Sequence, residues 1–287
     1  MQIIETSFKT FLSLNSKSNL EDAIRTYNPD LHDVRLNGHF ENSFLKKFTH
    51  IFKGIKRLSL HNWAPIEYDF LYQLKNLEEL SLQTFMTPID FNIISENLCQ
   101  LNKLSISWNE ANIKNFNSLS NVIELYISNS KDKDLTFLTG MPRLKKVRMD
   151  QPKIKNLNGI DKLQCLEMAL FGGAKSLSDV SAIKHCENLK FLEFDTCPKV
   201  NDLSPLSKLT ILKVLELISC KNISSIGFVN YLNSLEQISI LGTTKVGDDD
   251  WKPINMVKRA FINKSGITST TQKIGPRLSY FSFKGDA

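Results

Sequence analysis

The sequence lacks most of the signatures that would settle a function at once. No apolar run approaches the ~18–20 residues needed to cross a bilayer. The amino terminus MQIIETSFKTFL has neither a basic start nor a long apolar stretch, so no secretory signal is expected. The five cysteines (Cys99, Cys165, Cys186, Cys197, Cys220) form no CxxC pair, which argues against a zinc or redox motif. Histidines 32, 39, 50, 61 and 185 form no HExxH, and there is no GxxxxGK[ST] phosphate loop and no GxSxG elbow. Asp248, Asp249 and Asp250 are adjacent, but three consecutive carboxylates do not converge on one ion, and a solvated turn is expected. These absences point to a soluble, cytoplasmic, reduced protein that is not an enzyme, with no cofactor and no metal.

The charge is equally uninformative over most of the chain. The 287 residues carry 36 basic and 30 acidic side chains, a formal net charge of +6. From Trp251 onward there are seven basic residues against the single acid Asp286, so the whole imbalance sits in the tail. The basic tail with Tyr280, Phe281 and Phe283 is the only feature that speaks for nucleic-acid binding, and a solvated cap explains it better.

What the sequence does contain is repetition. LHDVRL (from Leu31), IKRLSL (Ile55), LEELSL (Leu77), LNKLSI (Leu101) and VIELYI (Val122) share one pattern. LKKVRM (Leu144), LEMALF (Leu166), LKFLEF (Leu189), LKVLEL (Leu212) and LEQISI (Leu235) repeat it. The ten copies follow one another at steps of 24, 22, 24, 21, 22, 22, 23, 23 and 23 residues. Each reads apolar, two variable, apolar, one variable, apolar. The alternation at the end of the copy predicts a short strand with one face inward. Later apolar residues such as Val200, Leu203 and Leu206 face the same interior from the other side. One such coil cannot close its core, and stacked coils can.

The pattern resembles the leucine-rich repeat, in its short class of about 22 residues found in internalins and phosphatase regulators. The resemblance runs from Leu31 to about Lys258. It implies an α/β leucine-rich-repeat solenoid: a curved, parallel sheet on the concave face and short helices or turns on the convex face. Residues 1–30 are expected as a helical N-terminal cap, since Ile3, Ile4, Phe8, Phe11 and Leu12 fit helical spacing and Ser18 with Glu21 resembles a capping box. Repeats fill 31–257, and 258–287 form a C-terminal cap, with VKRAFI as a closing strand. The slot that the family fills with Asn, three past the last strand apolar, holds Asn109 once. Elsewhere it holds Trp63, Phe85, Ser130, Pro152, Ala174, Cys197, Cys220 and Thr243. Cys197 and Cys220 are read as stacked, reduced thiols.

The resemblance also implies that the variable strand residues project from the concave sheet and can bind a protein partner. Arg35, Arg57, His61, Lys103, Trp108, Tyr126 and Arg148 read as a basic and aromatic half. Met168, Leu170, Phe191, Val214, Ile218 and Leu241 read as an exposed apolar patch bordered by Glu193, Asp195 and Glu216. Phe191 and Leu170 are the expected hot spots; the alternative is that RLSYFSF (Arg277 to Phe283) covers the patch. The expected function is a monomeric, non-enzymatic protein-binding scaffold, an adaptor or inhibitor, with another protein as partner. An immunity protein that neutralises a toxin is one version of it, and nucleic-acid and membrane partners are not expected.

Overall fold

The computed structural model describes all residues except 1, 6–9, 19, 27–31, 85–87, 108–112 and 263–287. It divides into two compact units, Met1–Ile127 and Ser128–Ala287.

The first unit opens with β1 (Gln2–Glu5) and β2 (Thr10–Asn15), an antiparallel hairpin in which Ile3 stands opposite Leu12. The amino-terminal cap is thus not helical at its start. Leu12 and Leu14 alternate into the core at 0% and 1% exposure, and β2 pairs in parallel with the next strand, so this segment acts as one more coil. The helix expected to follow is α1 (Leu20–Thr26), with Glu21 and Asp22 in its first turn, where acids complement the exposed N–H groups. Parallel strands continue with β3 (Asp33–Gly38), β4 (Arg57–Asn62), β5 (Glu79–Thr84), β6 (Lys103–Ser107) and β7 (Glu124–Ser128). Each begins at the third residue of a repeat.

Between β3 and β4 runs α2 (Asn42–Ile51), which buries Leu45, Phe48 and Thr49. Phe44 and Phe48, four apart on the helix, stack with ring centroids 6.5 Å apart. Phe40 before the helix and Phe52 at its end extend the row, 4.9 Å from Phe44 and 4.8 Å from Phe48. A third helix, α3 (Phe91–Asn97), is capped by Asp90, whose side chain accepts from the Asn92 N–H at 3.0 Å.

In the second unit, β8 (Lys146–Asp150), β9 (Met168–Gly172), β10 (Phe191–Asp195), β11 (Val214–Ile218), β12 (Gln237–Leu241) and β13 (Arg259–Ile262) pair in parallel, each with the next. The VKRAFI segment therefore supplies the closing strand. Connections on the other side are 3-10 turns, which bury Ile160, Ile183, Leu206 and Val229 against the inward strand residues. Asp-x-Ser/Thr triplets start three of the 3-10 turns of this unit: Asp134, Asp179 and Asp202 accept from the backbone N–H of Thr136 (3.0 Å), Ser181 (2.8 Å) and Ser204 (2.9 Å). A short acceptor two residues before a turn is a local signal that competes with continued strand.

The chain leaves every strand from β8 to β12 through a left-handed residue: Gln151, Gly173, Thr196, Ser219 and Gly242. The repeated hand, carried mostly by non-glycine residues, is set by the coil geometry rather than by local preference.

The interior ladder departs from the expected slots. Cys197 and Cys220 fill it as buried free thiols, their Sγ groups donating to Phe171 O at 3.3 Å and Phe194 O at 3.2 Å in the preceding coil. Burial pushes their pKa values up to about 12 and about 11. In two coils the slot moves by one residue. Thr244, not Thr243, is buried and donates to Leu217 O at 3.2 Å. Asn62, not Trp63, is fully buried: it accepts from Phe40 N–H at 2.7 Å and donates to the carbonyls of Phe40 and Ala64, both at 3.1 Å.

Candidate protein-binding face

In the first unit the outward strand positions form three columns. The first is Asp33, Arg57, Glu79, Lys103 and Glu124, neighbours across the sheet from β3 to β7. Its charges alternate. Arg57 Nε lies 3.2 Å from Asp33, and Lys103 Nζ lies 3.6 Å from Glu79 and 3.7 Å from Glu124. The face expected to be basic is therefore neutralised where Arg57 and Lys103 stand. The acids that do this occupy the same column in the sequence.

The second column, Arg35, Ser59, Ser81, Ser105 and Tyr126, runs alongside. Arg35 is exposed and sits 3.7 Å above the Phe11 ring, a cation–π contact. Three serines separate it from the half-buried Tyr126. In the third column His61 accepts from Trp63 Nε1 at 3.1 Å, and the two rings meet edge to face at 5.2 Å. Trp63 is half exposed, and the sequence reading missed it as a surface aromatic because it was counted into the interior. Trp108 lies outside the described residues.

The second unit brings the rest together. Arg148, Leu170, Glu193, Glu216 and Ser239 stand side by side on β8 to β12, and Met168, Phe191, Val214 and Gln237 form the row next to them. Ile218 and Leu241 are neighbours in the third row and are half-buried, as is Asp195. Here the structure corrects the expectation of an exposed apolar patch. Met168, Leu170, Phe191 and Val214 form a cluster with exposures of 3%, 1%, 0% and 0%. Phe191 and Leu170 are not solvent-facing hot spots, and charges placed there would be buried at a cost of several kcal/mol.

Polar groups on this face are buried too. Glu216 is 4% exposed, and its Oε1 accepts from Ser239 Oγ at 3.3 Å and Gln237 Nε2 at 3.4 Å. Glu193 stands directly opposite Glu216. Burial, reinforced by that neighbouring carboxylate and opposed by Arg148, pushes Glu193 up to about 7. Arg148 itself is paired with Asp150 at 3.3 Å. Gln237 and Ser239, both fully buried, complete this polar group.

Among the described residues no group of three or more His, Cys, Asp or Glu side chains is placed to hold a metal. The three consecutive aspartates serve separate tasks. Asp248 accepts from Asp250 N–H, Asp250 from Lys252 N–H, and Asp249 from Trp251 Nε1 at 2.7 Å. No described helix is long and apolar enough to cross a membrane.

Parallel strands one per coil, turns on the far side and a laddered interior define a leucine-rich-repeat fold. Solved structures agree. An internalin (inlF) of Listeria monocytogenes superposes with a TM-score of 0.62 at 18% identity, covering 82% of this chain and 68% of the internalin. An internalin C2 (inlC2) of the same organism gives 0.50 at 22% identity over 66% of this chain and 81% of its own. A chain from the mouse RP105/MD-1 complex gives 0.60 at 20% identity, with 82% of this chain covered and 46% of the other. No protein-family model matches the sequence, and no curated protein is detectably similar to it.

Proposed function

We propose that this chain is a non-enzymatic protein-binding scaffold, acting in the cytoplasm as an adaptor or inhibitor through the outward strand face of its first unit. The observation that carries this reading is the division of labour in β3 to β7. Alternate residues build the core, and the others present Arg35, Arg57, His61, Lys103 and Tyr126 on positions the fold leaves variable. Arg and Tyr are residue types that concentrate interface energy, and a preformed sheet loses little entropy on binding. A protein partner also agrees with the occurrence of this fold in the RP105/MD-1 complex. Cys186, Cys197 and Cys220, used as buried free thiols, support a reducing compartment.

The test is quantitative affinity capture from the native cell with three proteins: wild type, Arg35→Glu/Tyr126→Ala, and Lys208→Glu on an exposed 3-10 turn. The first variant should lose the partner and the second keep it, with both still unfolding cooperatively in melting curves. A partner retained by Arg35→Glu/Tyr126→Ala would end this assignment.

A further inference from the structure

Charges stacked from coil to coil in the second unit are otherwise mixed in sign. Lys145, Glu167 and Lys190 follow one another, with the two Nζ atoms 3.6 Å and 2.7 Å from the Glu167 carboxylate. Like charges facing each other across a sheet are destabilising, so alternation is the expected arrangement. One row breaks it. Where the chain leaves β7 to β12, six successive coils each present a lysine beside the buried ladder residue: Lys131, Lys153, Lys175, Lys199, Lys221 and Lys245. In five coils the lysine follows that residue directly, and in the fourth Pro198 intervenes.

The segments that carry the row are themselves joined from coil to coil. Lys153 N–H donates to Ser130 O at 2.9 Å, Lys155 N–H to Lys133 O at 2.7 Å, and Lys245 N–H to Lys221 O. Successive lysines therefore rise from backbone about one strand spacing apart, roughly 5 Å. That is well inside the ~10 Å over which charges are felt in 0.1 M salt, so their fields add. Residues 129–134, 151–156, 173–178, 196–201, 219–224 and 242–247 together hold eight lysines, all exposed, and two acids. Both acids are engaged: Asp132 accepts from Ser130 Oγ at 3.0 Å, and Asp134 from Thr136 N–H. Asp179, Asp202 and Asp248, just beyond, accept backbone N–H groups in the same way. Among the described residues, none of the eight lysines is ion-paired.

The same segments contain no arginine and no aromatic ring. Nucleic-acid grooves grip phosphates with arginine forks and stack bases on rings. Lysines alone, point charges on flexible stems, suit carboxylates spaced along a protein chain. We propose that this lysine row is a second docking surface, one that holds an acidic, extended segment of another protein along the edge of the coils. Six coils span roughly 24 Å, the length of about seven extended residues. Each carboxylate seated there relieves repulsion within the row.

Anisotropy of a fluorescein-labelled ten-glutamate peptide in about 50 mM salt tests this. Wild type is compared with a row variant, Lys153→Gln/Lys175→Gln/Lys221→Gln/Lys245→Gln. A control of equal net charge, Lys184→Gln/Lys208→Gln/Lys213→Gln/Lys252→Gln, changes exposed lysines elsewhere in the unit. The row variant should bind at least ~10-fold more weakly than wild type and melt no lower than the control, which should bind within ~3-fold of wild type. The proposal is overturned if wild type does not bind the peptide, if the row variant keeps its affinity or melts lower than the control, or if the control loses as much. It is equally overturned if wild type binds a single-stranded DNA of ten phosphates as tightly as the peptide. Capture through the first unit's face is a separate measurement, so either reading can fail without the other.

Discussion

Asn62→Ala tests the shifted ladder. The Asn62 side chain is fully enclosed and makes three hydrogen bonds to backbone groups: one from Phe40 N–H and one each to the carbonyls of Phe40 and Ala64. Removing it leaves one buried donor and two buried acceptors without that partner. A lost hydrogen bond costs about 1 kcal/mol net, and a donor left unsatisfied about 1–3 kcal/mol. The structure therefore predicts a loss of about 2–4 kcal/mol. Trp63, which a fixed count from Leu60 puts in the interior slot, is 50% exposed, so Trp63→Ala should cost under ~1 kcal/mol. Urea unfolding followed by circular dichroism, with the slope checked for each variant, measures both. If Trp63→Ala is the more damaging, or Asn62→Ala costs less than about 1 kcal/mol, the ladder has been assigned to the wrong residue.

Gly159→Ala should destabilise the second unit by about 2–4 kcal/mol, from a left-handed backbone and an added Cβ 2.6 Å from backbone atoms of Leu135 and Thr136; calorimetry checks it. Glu193, pushed up to about 7 by burial and then by Glu216, holds more protons folded than unfolded above its ordinary value of 4.5. Its contribution is therefore present at acid pH and lost as pH rises from about 4.5 to about 7. The full shift is worth roughly 3 kcal/mol, and about half of that after discounting for solvent at this half-buried site. Glu193→Gln should flatten the pH dependence by this amount, and an unchanged profile in denaturant titrations from pH 5 to 8 would contradict it. Of the five cysteines, Cys99 and Cys165 are exposed and should react with a thiol reagent in the native protein, whereas Cys186, Cys197 and Cys220 should react only on unfolding.

The repeat was legible because its evidence is local and multiplied. Two apolar positions per strand, recurring ten times, leave little choice of fold, and every copy forms its strand. The amino-terminal hairpin was misread because Ile3, Ile4, Phe8, Phe11 and Leu12 satisfy both the helical and the strand period; only pairing with β3 decides between them. Asn62 and Thr244 escaped because the slot was counted at a fixed distance, whereas the turn after β4 and after β12 shifts it by one residue. The buried outward face of the second unit could not be read at all from position. Met168 and Phe191 occupy the same place in their coils as Arg57 and Lys103, and whether such a residue meets water depends on what lies above the sheet. The neutralised first column was within reach: Asp33, Glu79 and Glu124 alternate with Arg57 and Lys103 along the repeat and needed only to be read down the column.

That alternation restricts how the first unit can gain or lose coils. Each pair contributes only about 0.2–1 kcal/mol across neighbouring strands, but the signs impose a parity. Excising a single coil from this stretch would set two acids or two bases face to face, whereas excising two would restore the sequence of signs. Length variants of this segment should therefore tolerate the removal of coils two at a time better than singly.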